Sequence, residues 1–340
     1  KGLIKHNLKA FFFTWHDTGN MNSFVKANNA ISLTKNAFDF SKTEEFLYFV
    51  NDKVVKYFKD KVIVENRYKR SEHLKGLCPE IDCLKSYFYS YQKEDGSVLY
   101  DVVNNEIMQE LIFWLNNNLW TKRDIEGSEL IQFKASCFNF YYTKTISRLQ
   151  KYHDKYQFLD QSTYINNLNV PSIQKMFEFI DWDNMSNGIS SNFHGDLQFD
   201  NILLKDDGGF LLLDWRQDFS GLLTYGDQYY DLAKLNGGLK VSYKLIKQNK
   251  FFFKKESQGR FKISHERPIE LIESKEIFDN FLNKEGFDTL KVKILTSLIF
   301  LNMSPMHHEP FDHFIYNFGK LSLYKALLGS GKIDKGHVSD

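Results

Sequence analysis

The 340-residue chain reads as an α+β protein, with strands concentrated in its first hundred residues and helices in most of the rest. Three observations carry this reading. Glu45–Val50 and Lys53–Phe58 are strand-like runs joined by the turn pair Asn51-Asp52, a β-hairpin by propensity and turn chemistry. Beyond residue 102, apolar residues recur at helical spacing in several segments. Between these helices lies one polar loop, then an apolar strand, then a second polar loop, from His194 to Leu235.

The elements follow in order. Residues 1 to 30 read as an added arm or as the tail of an upstream domain, with Ala10–Trp15 strand-like and Met21–Ala30 helix-like. The chain starts at Lys1 rather than Met, as a piece of a longer protein would. After the hairpin, a helix is expected from about Val62 to Leu77. Tyr87–Gln92 and Val98–Tyr100 form a strand pair flanking Glu94-Asp95-Gly96. Helical stripes are expected at Asn104–Trp120, Asn139–Lys155, Ser172–Ile180, Glu270–Asn283 and Leu290–Asn302. Gly237-Gly238 marks a helix end. Phe251–Phe253 and Phe261–Ile263 flank Ser257-Gln258-Gly259, as an inserted hairpin would. Residues 330 to 340 read as a tail.

The chemistry concentrates in 42 residues. His194-Gly195-Asp196-Leu197-Gln198-Phe199-Asp200-Asn201 is followed by the strand Gly209–Leu213, by Asp214-Trp215, and by Gly226-Asp227-Gln228-Tyr229-Tyr230-Asp231-Leu232-Ala233. A loop and a buried strand thus bring Asp196, Asn201 and Asp214 together. Phosphoryl transfer needs such a set: a carboxylate for the attacking hydroxyl, and an amide plus a carboxylate for a hard cation.

In order and spacing these motifs resemble the aminoglycoside phosphotransferase and choline kinase superfamily, over about residues 31 to 325. The resemblance implies a two-lobed, protein-kinase-like fold. Its small antiparallel-sheet lobe would span residues 31–98 and its mostly helical lobe residues 99–329. It further implies ATP or GTP and Mg²⁺ as cofactors and a small-molecule hydroxyl as acceptor. Asp196 would accept or orient the hydroxyl proton, and Asn201 and Asp214 would bind the metal. Lys56 would hold the nucleotide phosphates, steadied by Glu72 sixteen residues on, with Glu65 as the lesser candidate. Adenine would lie at Tyr91, Gln92 and Lys93. His194 and Asp231 would brace the catalytic loop. Arg216, Asp218, Asp227, His307 and Glu309 are acceptor-site candidates. The expected phosphate-covering loop, Lys35–Thr43, departs from the pattern in having no glycine, so Asn36, Ser41, Lys42 or Thr43 would have to meet phosphate with side chains. The phrases Asp214–Phe219 and Tyr229–Leu235 are similar to those of bacterial phosphotransferase-like proteins of capsule and surface-sugar synthesis, which implies a sugar or amino-alcohol acceptor.

Composition bounds the alternatives. A net charge of +1 gives no global drive toward nucleic acid or acidic membranes. Three cysteines, Cys78, Cys83 and Cys137, form neither a zinc pattern nor a disulfide framework and suit a reducing cytoplasm. No apolar run reaches the length of a membrane span. The 32 Phe and 18 Tyr are read as core filling rather than a ligand cage. The basic stretch from Lys240 to Arg267 could hold a polyanion; a solvated hairpin with an aromatic inner face is the simpler reading. His307-His308 beside Glu309 and Asp312 is read as a substrate-contact loop or a turn between helices rather than a metal site. A non-catalytic kinase-fold module binding nucleotide or polyanion is the competing function.

Overall fold

The computed structural model describes residues 45 to 334. Strands β1 (Glu45–Val50) and β2 (Lys53–Phe58) pair antiparallel in the register Val50↔Lys53 to Glu45↔Phe58. Asn51 takes the turn with a φ of 54°, a conformation that asparagine tolerates well. Helix α1 (Lys61–His73) starts where the Asp60 side chain accepts from the Val62 N–H at 2.8 Å. It ends four residues before the expected Leu77. Strands β3 (Ile81–Leu84) and β4 (Phe88–Gln92) complete a four-stranded sheet in the order β1-β2-β4-β3. The sequence reading contained no strand at β3.

The expected pairing across Glu94-Asp95-Gly96 is not formed. Strand β5 (Gly96–Val98) pairs instead with β8 (Ile202–Lys205), which also pairs with β9 (Phe210–Leu212). The chain therefore crosses from the small sheet to the large lobe at residues 93–95. At Gly96 an added Cβ would stand 2.4 Å from the Leu204 carbonyl oxygen, so a side chain would block this pairing.

The large lobe is helical: α2 (Asn105–Asn118), α3 (Gly127–Phe138), α4 (Lys144–Tyr156), α5 (Gln228–Lys240), α6 (Ile269–Lys284), α7 (Thr289–Met303) and α8 (Phe311–Gly329). Helix α3 was not expected, and the helix expected from Asn139 opens with a π-helical turn, Asn139–Thr143, before α4. Gly237 and Gly238 lie inside α5 rather than at its end. A Cβ on Gly238 would come within 3.2 Å of Phe199 and 3.3 Å of the Tyr100 hydroxyl. Gly238 thus serves close packing rather than termination, whereas a Cβ on Gly237 would meet Phe300 at an ordinary 3.7 Å.

The inserted hairpin is present as β10 (Phe251–Ser257) and β11 (Arg260–His265), extended by β6 (Thr163–Ile165) and β7 (Leu168–Val170). Phe251 packs on Phe311 and Phe314, and Phe253 on Phe261 and His313, while Lys254 and Lys255 face solvent. Phe251, Phe253 and Phe261 thus form an inner face, and Phe252 stands exposed with the lysines on the outer one. Among the described residues no helix is long and apolar enough to cross a membrane.

Candidate functional site

The site forms where α1 and β2 of the small lobe meet the 194–216 segment. Trp215 joins the two. Its side chain is buried, its Nε1 donates to the Arg67 carbonyl at 2.8 Å, and its ring stacks on Tyr89 of β4. The buried Arg70 guanidinium donates to the carbonyls of Phe193 and Leu223 and lies 3.8 Å over the Phe193 ring. Burial lowers its pKa to about 9, against the opposing pull of Asp231 and Asp218. Helix α1 is thereby latched to the loop carrying Asp196.

That loop is held from below. Asp231, buried in the first turn of α5, accepts the N–H of His194 and of Gly195, each at 2.7 Å. Burial raises its carboxyl to about 6, and these two N–H groups pull it back down. His194 is also buried, which lowers its imidazole to about 4 and keeps it neutral near pH 7; its Nδ1 accepts from the Asp196 N–H at 3.3 Å. Gly195 has φ +85°, and an added Cβ would lie 2.6 Å from the Arg216 Cβ. Only glycine lets the loop turn here with Arg216 packed against it.

Three of the expected residues come together. Asn201 Nδ2 donates to the Asp196 carbonyl at 2.9 Å, and the Leu213 N–H donates to the Asn201 carbonyl at 2.8 Å. Asn201 is therefore tied to Asp196 on one side and, through its own carbonyl, to the residue before Asp214 on the other. Asp214 has φ 59°, a left-handed backbone that is costly for a non-glycine residue and recurrent at functional sites. Lys56 Nζ lies 2.7 Å from Asp214 Oδ1. Arg67 of α1 binds the same oxygen, and its side chain is 5 % exposed. Lys234 of α5 lies 2.7 Å from Asp196 Oδ1.

The expected partner of Lys56 is not the one found. Glu72 and Glu65 are exposed. Val64, Arg67 and Ser71 face inward at helical spacing, and Glu72 stands five residues from Arg67, about 140° around the helix. The site-facing position of α1 is thus an arginine, and the carboxylate that meets Lys56 is Asp214.

Three acceptor candidates also fall elsewhere. Asp227 is fully buried: it accepts from Tyr141 Oη at 2.7 Å, Ile189 N at 2.9 Å and Tyr229 N at 3.1 Å. With the Cys137 thiol at 4.0 Å, four donors fill its acceptor capacity, and it caps α5 within the core. His307 and Glu309 pack at the carboxyl end of α4, where Lys155 Nζ meets the His307 carbonyl and His313 lies 3.6 Å from Glu309. Lys144, which feels Asp196, is eleven residues back, about 16 Å along the helix. Asp218 is half-buried and accepts the Gly221 N–H of its own turn at 3.0 Å.

At the crossover, Gln92 and Lys93 are exposed, whereas Tyr91 is buried against Tyr89. Ser41 and the whole expected phosphate-covering loop lie outside the described residues. Arg67, Arg70, Lys144, Arg148 and Lys234 were missed. The available signals were arginines on the inner stripe of α1 and a lysine inside the otherwise buried run of α5.

The donor set fits Mg²⁺. An amide oxygen on Asn201 and a carboxylate on Asp214 are hard ligands, and Mg²⁺ completes its shell with waters and phosphate oxygens. Among the described residues no three His, Cys, Asp or Glu side chains gather as a metal site of their own.

A small antiparallel-sheet lobe over a helical lobe, with this loop between them, is a protein-kinase-like arrangement. No family model matches the chain, and no curated protein matches it. Among solved structures it is similar to an ethanolamine kinase of Plasmodium vivax, at 12 % identity over 94 % of this chain and 92 % of that one, with a TM-score of 0.44. It is similar to the choline kinase LicA of Streptococcus pneumoniae, at 13 % identity over 89 % of this chain and 98 % of that one, with a TM-score of 0.42. It is similar also to the aminoglycoside phosphotransferase APH(2")-IIa with gentamicin, at 13 % identity over 92 % of this chain and 97 % of that one, with a TM-score of 0.45.

Proposed function

We propose that the protein is an ATP- and Mg²⁺-dependent phosphotransferase acting on a small-molecule hydroxyl. The observation that carries this is the bonded series Asp196–Asn201–Leu213, which ties the Asp196 loop to the residue preceding Asp214, whose carboxylate holds Lys56. The acceptor oxygen forms a bond to the γ-phosphorus as the bond to the β-phosphate oxygen breaks, and the electron pair leaves with ADP. The hydroxyl proton passes to the Asp196 carboxylate and then to solvent. Asn201 and Asp214 would hold Mg²⁺, which when bound supplies charge neutralisation between the phosphates. Lys56 would turn from Asp214 to the phosphates, leaving Arg67 to balance the carboxylate. The nucleotide base would lie beside the exposed residues Gln92 and Lys93, with ATP or GTP accepted there. The resemblance implies a sugar or an amino alcohol as acceptor, and the basic surroundings of Asp196 favour the sugar of these two. The phrasing of residues 214–235 supports a place in surface-polysaccharide synthesis.

Pairing of both Lys56 and Arg67 with Asp214 favours a second reading, a module that binds nucleotide without transfer. One experiment separates the two. Asp196→Asn should abolish ADP release in the presence of a panel of hydroxyl compounds while leaving ATP·Mg²⁺ affinity within about threefold, since the residue meets the hydroxyl and not the nucleotide. Nucleotide binding with no turnover by the unmodified protein across that panel would favour the module. Equal turnover in the Asn variant would refute the role of Asp196.

A further inference from the structure

The side of the Asp196 carboxylate away from the small lobe is basic. Lys234 Nζ touches Asp196 at 2.7 Å. Arg216 stands against the same loop: its N–H donates to the His194 carbonyl at 3.0 Å and its Cβ abuts Gly195. The Arg216 guanidinium lies 4.8 Å over the Phe140 ring, and its buried Nε has no hydrogen-bond partner. Lys144 Nζ lies 3.9 Å over the same ring. Arg148 follows one turn along α4.

One lysine at 2.7 Å is enough to neutralise Asp196, so Lys144 and Arg216 are surplus to that carboxylate. Burial first, and then Arg216, Lys234 and Arg148, lower the Lys144 ammonium well below the ordinary lysine value; Asp196 is the opposing charge. Like charges gathered around one aromatic ring repel one another and gain when an anion arrives between them. Among the described residues two of the carboxylates that would favour an amine are withdrawn, since Asp227 is buried among its donors and Glu309 lies at the far end of α4, while Asp218 is engaged by the Gly221 N–H of its own turn.

We infer that the acceptor is itself an anion, a hydroxyl compound bearing a phosphate ester or carboxylate that rests on Lys144, Arg216 and Lys234 while its hydroxyl faces Asp196. This rests on the phosphotransferase reading for the chemistry, but the anion site can be tested without it. An amino alcohol would meet three cations and be repelled.

The test is calorimetric titration of inorganic phosphate into the protein saturated with AMP-PNP and Mg²⁺, so that the nucleotide site is filled. Saturable phosphate binding is expected, weakened at least about tenfold by Lys144→Gln or Arg216→Gln, the loss of one charge-assisted contact. Lys144→Arg should restore it, and tetramethylammonium chloride should give no heat of binding. If Arg216→Gln fails to fold, the two Lys144 variants carry the test. In turnover, glycerol 3-phosphate and glucose 6-phosphate should exceed glycerol and glucose in kcat/KM, and choline should fall below both. Absent phosphate binding, phosphate binding indifferent to Lys144, or preferential use of choline would overturn the inference. Lys144-dependent phosphate binding in a protein that does not bind AMP-PNP would instead remove the phosphotransferase reading and leave the anion site standing.

Discussion

Replacing Arg67 by Met tests the most unusual feature of the site, a buried arginine where α1 faces Asp214. A guanidinium and a carboxylate about 3 Å apart attract by about 5 kcal/mol at an effective dielectric of about 20, before desolvation is subtracted. Removing one partner of a buried pair typically costs about 3–5 kcal/mol, because the other charge is left uncompensated. Here Lys56 remains 2.7 Å from Asp214, which reduces that cost. The contact of Arg67 with Glu45 at 3.8 Å and its position 4.8 Å over the Phe58 ring are lost as well. The net expectation is a destabilisation of about 2–4 kcal/mol. Urea unfolding followed by tryptophan fluorescence would measure it, since Trp215 is bonded to the Arg67 backbone. Combining Arg67→Met with Asp214→Asn should give a coupling of about 1.5–3 kcal/mol in a double-mutant cycle. A single-variant loss under about 1 kcal/mol, or no coupling, would show that the pair contributes nothing net and that α1 docks by packing alone.

Further outcomes follow from the same geometry. Asp214→Ala should weaken Mg²⁺-dependent ATP binding more than Asn201→Ala, because a carboxylate offers charge and two oxygens where an amide offers one; Mg²⁺ titration at fixed ATP reads the order, and the reverse order would reassign the metal ligands. Asp231 has its carboxyl raised by burial to about 6 from 3.8, so its contribution is full below about pH 4 and is lost as pH rises through about 6, roughly 3 kcal/mol in all. Asp231→Asn should therefore be most destabilising near pH 4 and progressively less so toward pH 7; a stability difference independent of pH would place the carboxyl near its ordinary value. Gly195→Ala should cost at least about 2 kcal/mol and depress turnover, since φ +85° and the 2.6 Å approach to Arg216 both oppose a Cβ; an unchanged melting temperature would show that the loop relaxes freely.

Much of the architecture was written in short-range pattern. The β1–β2 hairpin, α2, α6, α7 and the β10–β11 hairpin follow from alternation, turn chemistry or helical stripes, and each appears within a few residues of its expected bounds. The adjacency of Asp196, Asn201 and Asp214 was also legible, because a five-residue loop and a strand pairing with its neighbour leave little freedom between them. Gly237-Gly238 misled because a helix end and a tight helix crossing both call for a missing side chain. The β5 pairing escaped because a three-residue strand has no periodicity of its own.

The sequence by itself determined which oxygen-bearing groups meet at the Asp196 loop, since local chain geometry places them. Only the tertiary structure decided which charges face them. Arg67 rather than Glu72 reaches Asp214 because the inward direction of α1 is set by its packing on Trp215, not by residue type. Asp227 is withdrawn into the core while Lys144, Arg216 and Lys234 surround Asp196, because helices α4 and α5 are brought to the loop from distant parts of the chain. Side-chain orientation on a helix is a rotation that only the neighbouring elements can fix, and the sign of the charge beside Asp196 follows from that rotation.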